Sequence, residues 1–193
     1  KHFRICLLPC TISSRMSEDK KQSWNVVDSL KGKDVHEVVT ELDKTRVELE
    51  VAIENLERDF NMGTIVRTAN AFNVKKLHVI GRRQWNKRGA MKTDAYLHIT
   101  YHASVEAFAQ AMADDQRSII AMDIVEGAEP LHAVDFPLKS VLVFGAEGPG
   151  ISNELIEAAD MVVMIEQFGS TRSINVGVAA GIAMYAWMQQ HHL

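Results

Sequence analysis

Residues 141–152 read VLVFGAEGPGIS, four apolar residues followed by a loop with glycine at positions 145, 148 and 150. Consecutive apolar residues indicate a strand that is buried on both faces, as in a parallel sheet. Glycine has no side chain, so the loop allows the backbone to approach a ligand or another segment closely. The stretch therefore predicts a parallel strand whose carboxyl end opens a binding loop, which is typical of an open α/β sheet.

Short apolar segments alternate with helix-like segments on both sides of this stretch. The predicted strands are residues 47–53, 77–80, 98–101, 118–124, 140–145 and 161–165. The predicted helices are residues 34–46, 61–72, 104–112, 153–159 and 176–188. The segment that contains Pro130 and Pro137 is expected to be a loop. This alternation predicts an α/β fold with a mainly parallel sheet and helices on both faces.

Composition is that of an ordinary globular chain. A length of 193 residues is enough for one domain with a sizeable core, and 47% hydrophobic with 24% charged residues is the usual balance. The longest uncharged apolar stretch, residues 176–188, is shorter than the roughly 20 residues that a membrane-spanning helix needs. We expect no membrane association.

The two cysteines, Cys6 and Cys10, both lie near the start of the sequence. This distribution argues against a disulfide framework and fits a reducing cytoplasm. A C-x-x-x-C metal site at these two cysteines is the alternative, but no further histidine or cysteine clusters with them, so we expect no metal site. We predict three parts: a leader segment at residues 1–15, an N-terminal extension with a helix at 16–46, and the main domain at 47–193.

Positive charge is concentrated in one segment although the net charge is −4. Residues 75–92 contain seven lysines or arginines and no acidic residue. A solvated surface is the ordinary interpretation of such a run. An aromatic ring among cations, however, also suits a surface that binds phosphates and stacks on a base. The candidate RNA-binding residues are Arg82, Arg83, Trp85, Lys87 and Arg88.

Two further segments carry polar groups at predicted helix starts. In NMGTIVR, Asn61 and Gly63 mark a helix start, and Arg67 lies one turn further along. In QFGSTRSINVGVAAG, Ser173 and Asn175 directly precede an almost uncharged helix. Helix capping by the asparagines and a surface salt bridge of Arg67 are the structural alternatives, and both stay open.

The glycine-rich loop does not have the spacing of a phosphate-binding loop. It matches neither G-x-G-x-x-G nor G-K-[ST], and Glu147 within it would repel phosphate groups. A ligand with a positive centre, or one that offers ribose hydroxyls and an adenine edge, suits the loop better. An ordinary nucleotide-binding α/β enzyme is therefore disfavoured.

Three segments together, NMGTIVR, FGAEGPGI and IEQFGSTRSINV, resemble the signature of the SPOUT superfamily of RNA methyltransferases, specifically its SpoU/TrmH branch. Their order and spacing match over about residues 47–190. The sequence departs from the pattern at Glu166, where the family often has proline, and at Gln167 and Phe168. The resemblance implies an α/β trefoil-knot fold, S-adenosylmethionine as cofactor, a homodimer, and methyl transfer to a ribose 2′-hydroxyl of tRNA or rRNA.

The resemblance also implies roles for individual residues. The catalytic candidates are Arg67, Asn61, Glu147, Ser173 and Asn175. The cofactor-binding candidates are Phe144, Gly145, Ala146, Glu147, Gly148, Ile165, Gln167, Gly169, Ile174 and Asn175. We add Arg172 to the RNA-binding candidates. A non-catalytic RNA-binding protein that retains the fold is the alternative function.

The family account often makes the equivalent of Arg67 a general base. An arginine side chain is effectively always charged. We therefore favour a role in binding a phosphate and stabilising the developing alkoxide. The small residues Gly177, Ala180, Gly181 and Ala183 suit either a close helix contact across a dimer or burial in the core of one subunit.

Overall fold

The computed structural model describes residues 26–55, 61–145 and 150–193. The predicted leader, both cysteines and the candidates Ala146, Glu147 and Gly148 lie outside these residues. The chain divides into two compact units, residues 1–34 and residues 35–193. The first unit is described from residue 26 onwards and contains a single 3₁₀ turn, Asp28–Leu30.

The second unit alternates strands and helices as predicted. Its strands are β1 (Val47–Asn55), β2 (Val74–Gly81), β3 (Ile99–His102), β4 (Ser118–Met122), β5 (Glu129–Pro130), β6 (Ser140–Phe144) and β7 (Met161–Met164). Its helices are α1 (Val35–Asp43), α2 (Met62–Ala71), α3 (Val105–Asp114), α4 (Asn153–Ala158) and α5 (Val176–His191). Three further 3₁₀ turns are Lys87–Ala90, Thr93–Tyr96 and Leu131–Ala133.

All seven strands form one parallel sheet in the order β3-β2-β1-β6-β4-β7-β5. The predicted α/β class with a parallel sheet is confirmed. The segment around Pro130, predicted as a loop, contains the edge strand β5, where proline is tolerated because the outer side of the strand needs no donor. The order is consistent with the implied trefoil knot, whose threading stays a prediction.

Helices cover both faces of the sheet. On one face, α2 and α5 contribute Met62, Ile65 and Trp187 to a core with the apolar residues of β1 and β6. On the other face, α3 and α4 contribute Phe108 and Leu155 to a second core. Both faces of the central strands are therefore buried, which explains why residues 141–144 of β6 are all apolar. None of the described helices is both long and apolar enough to span a membrane.

The small residues of α5 pack within the subunit. Gly177, Ala180 and Ala183 are all buried, and a Cβ atom at Gly177 would lie 2.9 Å from Cγ2 of Thr64 in α2. The burial alternative is therefore correct for these three residues. The exposed apolar residues of the same helix are Val178, Ile182 and Tyr185.

A buried network of ionisable residues links β1, β2 and β3 to the residue just before β4. Arg117, just before β4, lies 3.3 Å from Oε2 of Glu50 in β1 and donates to the carbonyl oxygen of Ser140 at 3.2 Å. Nε2 of His78 in β2 lies 2.7 Å from the same Glu50 oxygen, and its Nδ1 lies 2.9 Å from Nε2 of His102 in β3. Burial raises the pKa of Glu50, but the hydrogen bond from His78 and the charge of Arg117 outweigh it and lower the pKa. Glu50 is thus a paired, buried carboxylate.

Removing Arg117 should be costly, because the buried Glu50 carboxylate then keeps only the more distant ammonium group of Lys76, at 4.0 Å, and His78 as partners. We expect Arg117→Ala to lower the free energy of unfolding by about 3–5 kcal/mol, measured by urea denaturation. Lys44→Ala removes one partner of an exposed ion pair with Glu41 and should cost less than about 1 kcal/mol. Similar losses for the two variants would contradict the structural role of the network.

Candidate functional site

A cavity of about 460 Å³ opens at the carboxyl edge of the sheet, where β4, β6 and β7 end side by side. This is the edge at which open α/β sheets bind ligands. The described residues that line it are Met122, Asp123, Ile124, Phe144, Gly145, Gly150, Val163, Ile165, Gln167, Ser173, Ile174, Asn175, Val176 and Ala179. The lining residues lie at or near the carboxyl ends of β4, β6 and β7, at the returning end of the glycine-rich loop, and at the start of α5.

The glycine-rich loop returns to its own start. A Cβ atom at Gly145 would lie 2.2 Å from the carbonyl carbon and oxygen of Gly150, so only glycine fits there. Gly150 has a φ of 75°, a left-handed conformation that favours glycine. Main chain therefore packs directly on main chain where the loop begins and ends. These two glycines are needed for the fold of the loop, whatever it binds.

Two carboxylates hold the returning end of the loop. Oδ2 of Asp123, just after β4, accepts from the amide of Ile151 at 2.8 Å. Glu54, near the end of β1, accepts from the amide of Ser152 at 2.8 Å and from its hydroxyl at 2.5 Å. Ser152 also caps α4. Because β1 and β4 flank β6 in the sheet, the loop end is attached on both sides of the strand that the loop follows.

The chemistry of the cavity wall restricts its ligand. Among the described lining residues Asp123 is the only ionisable one, and the wall near it is largely apolar. Oε1 of Gln167 is buried and has no hydrogen-bond partner in the described part of the chain. A buried polar atom without a partner carries a free-energy cost that a ligand donor would relieve. The wall suits a ligand that is neutral or positive and carries hydrogen-bond donors, rather than a phosphate.

The starts of α2 and α5 meet beside the cavity. Oδ1 of Asn175 accepts from the amides of Gly177 and Val178 at 3.0 and 3.3 Å, so this side chain does cap α5. Its Nδ2 donates to Oδ1 of Asn61 at 3.0 Å. Asn61 occupies the N-cap position of α2 but makes no side-chain capping bond. The hydrogen bond between the two asparagines therefore links the starts of α2 and α5, which helix capping alone does not require.

The other catalytic candidates lie in different surroundings. Ser173 lines the cavity. Arg67 is exposed on α2, about one turn beyond the Asn61–Asn175 contact, and does not line the cavity. The salt bridge considered for Arg67 is not present among the described residues.

Most of the described cofactor-binding candidates line the cavity. Six of the ten line the cavity: Phe144, Gly145, Ile165, Gln167, Ile174 and Asn175. Gly169 is exposed and lies outside the lining. The remaining three fall outside the described residues.

The basic segment is joined to the same edge of the sheet. Nδ2 of Asn55, the last residue of β1, donates to the carbonyl oxygens of Arg82 and Gln84 at 2.6 and 3.2 Å. Further along, the 3₁₀ turn Lys87–Ala90 packs so closely on α2 that a Cβ atom at Gly63 would lie 2.6 Å from the amide nitrogen of Ala90. The segment therefore lies next to the helix that carries Arg67.

Side chains of the basic segment differ in how freely they reach solvent. Arg82, Arg83, Lys87, Arg88 and the separate candidate Arg172 are all exposed. Arg83 lies over the ring of Tyr101 at 4.8 Å, and Lys87 pairs with Asp94 at 2.7 Å. Trp85 is only partly exposed, because it packs against the core below Lys87.

Three polar residues that organise the site were missed from the sequence. Glu54 and Asn55 directly follow a predicted strand, and Asp123 is the last residue but one of another. Position at a strand end is a signal that would have singled them out, since loops at the carboxyl edge converge. Their partners, at Ser152, Arg82 and Ile151, are not adjacent in the sequence and gave no such signal.

Comparisons with known proteins agree with this geometry. The tRNA (guanosine(18)-2′-O)-methyltransferase of Escherichia coli strain K12 is 23% identical over 152 residues, which are 77% of this chain but 66%, just under two thirds, of that protein. The enzyme of the same name from Thermus thermophilus is 25% identical over 157 residues, covering 77% and 78% of the two chains. The crystal structure of the A. aeolicus TrmH/SpoU tRNA modifying enzyme has a TM-score of 0.71 at 26% identity, covering 81% of each chain.

The family itself follows from a match to a family model. The model of the SpoU rRNA Methylase family matches residues 48–185, which include β1 to β7 and most of α5. The resemblance to the SpoU/TrmH branch is thereby confirmed, and with it the SPOUT methyltransferase fold class. This chain belongs to the SpoU methylase family.

Proposed function

We propose that the chain is an S-adenosylmethionine-dependent RNA methyltransferase that acts on a ribose 2′-hydroxyl of tRNA or rRNA. The observation that carries this proposal is the cavity at the carboxyl edge of the sheet, joined through Asn175 and Asn61 to the helix of Arg67. The names of the relatives from E. coli and T. thermophilus support ribose 2′-O-methylation, and they favour tRNA.

The cavity wall fits S-adenosylmethionine. Its apolar residues, among them Phe144 and Ile165, would pack on the adenosine, and the unpartnered oxygen of Gln167 would accept from an adenine or ribose donor. Asp123 is compatible with a positively charged ligand. When bound, the cofactor supplies a methyl group activated by a positively charged sulfur. No group of three or more His, Cys, Asp or Glu that could hold a metal ion occurs in the described part of the chain.

The chain's own residues would orient the acceptor and stabilise its charge. Arg67, exposed beside the junction of α2 and α5, would bind the phosphate next to the target ribose and stabilise the oxygen as it loses its proton. The bound cofactor would supply the methyl group that the ribose oxygen receives, and the proton of the hydroxyl would pass to water or phosphate. Glu147, Ser173 and Asn175 would hold Arg67 and the cofactor in position.

The basic segment would bind the RNA backbone. Arg82, Arg83, Lys87 and Arg88 extend from the carboxyl edge to the start of α2, and Arg172 lies on the segment before α5. The partial burial of Trp85 limits the ring area that is available for stacking on a base. Contacts to phosphates would therefore supply most of the affinity of this segment, with little dependence on base sequence.

We also propose that the chain forms a homodimer through α5. Val178, Ile182 and Tyr185 are 55%, 41% and 47% exposed and lie at helical spacing on one face. A groove beside them is lined by Leu131 and by His132, which pairs with Glu166. A subunit packed on this face would hold the helix that Asn175 caps. The cysteine-free sequence from residue 11 onwards supports a cytoplasmic location.

Arg67 provides the most direct test of the proposed catalysis. Because Arg67 does not line the cavity, Arg67→Ala and Arg67→Lys should both bind S-adenosylmethionine with affinity close to that of the wild type. Both should lose most methyl transfer, by about 10²-fold or more, measured with labelled cofactor and bulk tRNA. Near-wild-type turnover by either variant would contradict the role of Arg67. Absence of turnover in the wild type on tRNA and rRNA would instead favour the non-catalytic RNA-binding alternative.

RNA binding should depend on Arg82 and Arg88 of the basic segment. The other two candidate cations of this segment already have partners, since Arg83 lies on Tyr101 and Lys87 pairs with Asp94. We expect the double variant Arg82→Ala/Arg88→Ala to weaken tRNA binding. The salt dependence of log K should become shallower by about 0.7–0.9 for each lost phosphate contact, measured by filter binding. Lys139→Ala removes a cation just before β6, at the opposite edge of the sheet, and should leave both quantities unchanged. An equal effect of Lys139→Ala would count against a specific basic surface.

The dimer proposal predicts that Ile182→Asp is a monomer at micromolar concentration, because it introduces a charge into the exposed apolar face of α5. Sedimentation velocity would measure this against a dimeric wild type. Leu138→Asp is the matched control, since Leu138 is 54% exposed but lies outside α5. A monomeric wild type, or dissociation by Leu138→Asp as well, would contradict an α5 interface.

A further inference from the structure

Asp123 is held in a fixed position that neither the sequence motifs nor the proposed catalysis explains. Oδ1 accepts from the amide of Ile124 at 2.7 Å, and Oδ2 accepts from the amide of Ile151 at 2.8 Å. A Cβ atom at Gly150 would lie 2.5 Å from Oδ2, so the loop fits tightly against the carboxylate. A carboxylate has about four acceptor sites, and two amide donors leave acceptor capacity for a ligand.

The charge of Asp123 acts on whatever the cavity contains. It is the one ionisable side chain among the described residues that line the cavity. A cavity of about 460 Å³ has a diameter of about 10 Å if treated as a sphere, so a charge bound within it lies within about that distance of the carboxylate. At an effective dielectric constant of about 20, such a pair changes a binding constant by roughly tenfold.

We propose that Asp123 selects the charge of the bound ligand, favouring S-adenosylmethionine over S-adenosylhomocysteine. The two molecules differ by one methyl group and one positive charge on sulfur. Asp123 therefore attracts the donor more strongly than the spent product, and this difference promotes exchange of one for the other after each turnover. The inference rests on the proposed function of the cavity.

A variant of Glu54 can distinguish an effect of charge on the ligand from an effect on the position of the loop. It holds the same end of the loop through Ser152, but it is 1% exposed and does not line the cavity. Loss of its charge should disturb the loop without changing the charge of the cavity wall. Glu54→Gln is therefore the matched control for Asp123→Asn, which keeps an acceptor oxygen and removes the charge.

The experiment is calorimetric titration of wild type, Asp123→Asn and Glu54→Gln with S-adenosylmethionine and with S-adenosylhomocysteine. The measured quantity is the Kd of S-adenosylhomocysteine divided by the Kd of S-adenosylmethionine. We expect Asp123→Asn to lower this ratio by roughly tenfold. Glu54→Gln should weaken both ligands and lower the ratio by clearly less than Asp123→Asn does, because Glu54 does not line the cavity.

Three results would overturn the inference. An unchanged ratio in Asp123→Asn, or an equal change in Glu54→Gln, would make Asp123 a residue that only positions the loop. The same conclusion follows if Asp123→Asn and Asp123→Ser both fold but bind neither ligand. If the wild type itself binds neither ligand, the proposed function fails, and this outcome is distinct from the other three because it requires no variant.

Discussion

The contact between the backbones of Gly145 and Gly150 is the constraint on which the site depends. Gly150 lies so close to Gly145 that no Cβ atom fits at Gly145, so the two described ends of the loop after β6 are in contact. Its returning end then lies between β1 and β4, where Glu54 and Asp123 bind Ser152 and Ile151. Because β1 and β4 flank β6 in the sheet, the two carboxylates hold the returning end of the loop from both sides, beside the cavity.

A second contact joins this cavity to the surface where RNA would bind. Asn175 caps α5 at the cavity and donates to Asn61 at the start of α2. The same part of α2 packs on the 3₁₀ turn Lys87–Ala90, where Gly63 leaves no room for a side chain. The cavity, the helix that carries Arg67 and the basic segment are therefore attached to one another by direct contacts, so a bound donor and acceptor would be held in fixed relation.

The sequence was sufficient for the fold class because its signals are local. Apolar runs such as that of β6 and the alternation of strands and helices predicted the parallel sheet, and glycine and asparagine marked the loops. Long-range pairs gave no such signal: Glu54 binds Ser152, 98 residues away. The orientation of α5 also depended on packing, since Gly177 is buried against Thr64 rather than across a dimer. Edge strand β5 is too short for periodicity to reveal.

The proposed activity is tested most directly by incubating the full chain with methyl-labelled S-adenosylmethionine and with tRNA or rRNA, followed by digestion and nucleoside analysis. Label in 2′-O-methylated nucleosides is the expected result, since the cavity would bind the methyl donor and Arg67 would stabilise the ribose oxygen that accepts the methyl group. Label in base-methylated nucleosides, or no label in either RNA although the protein binds the cofactor, would contradict ribose methylation by this chain.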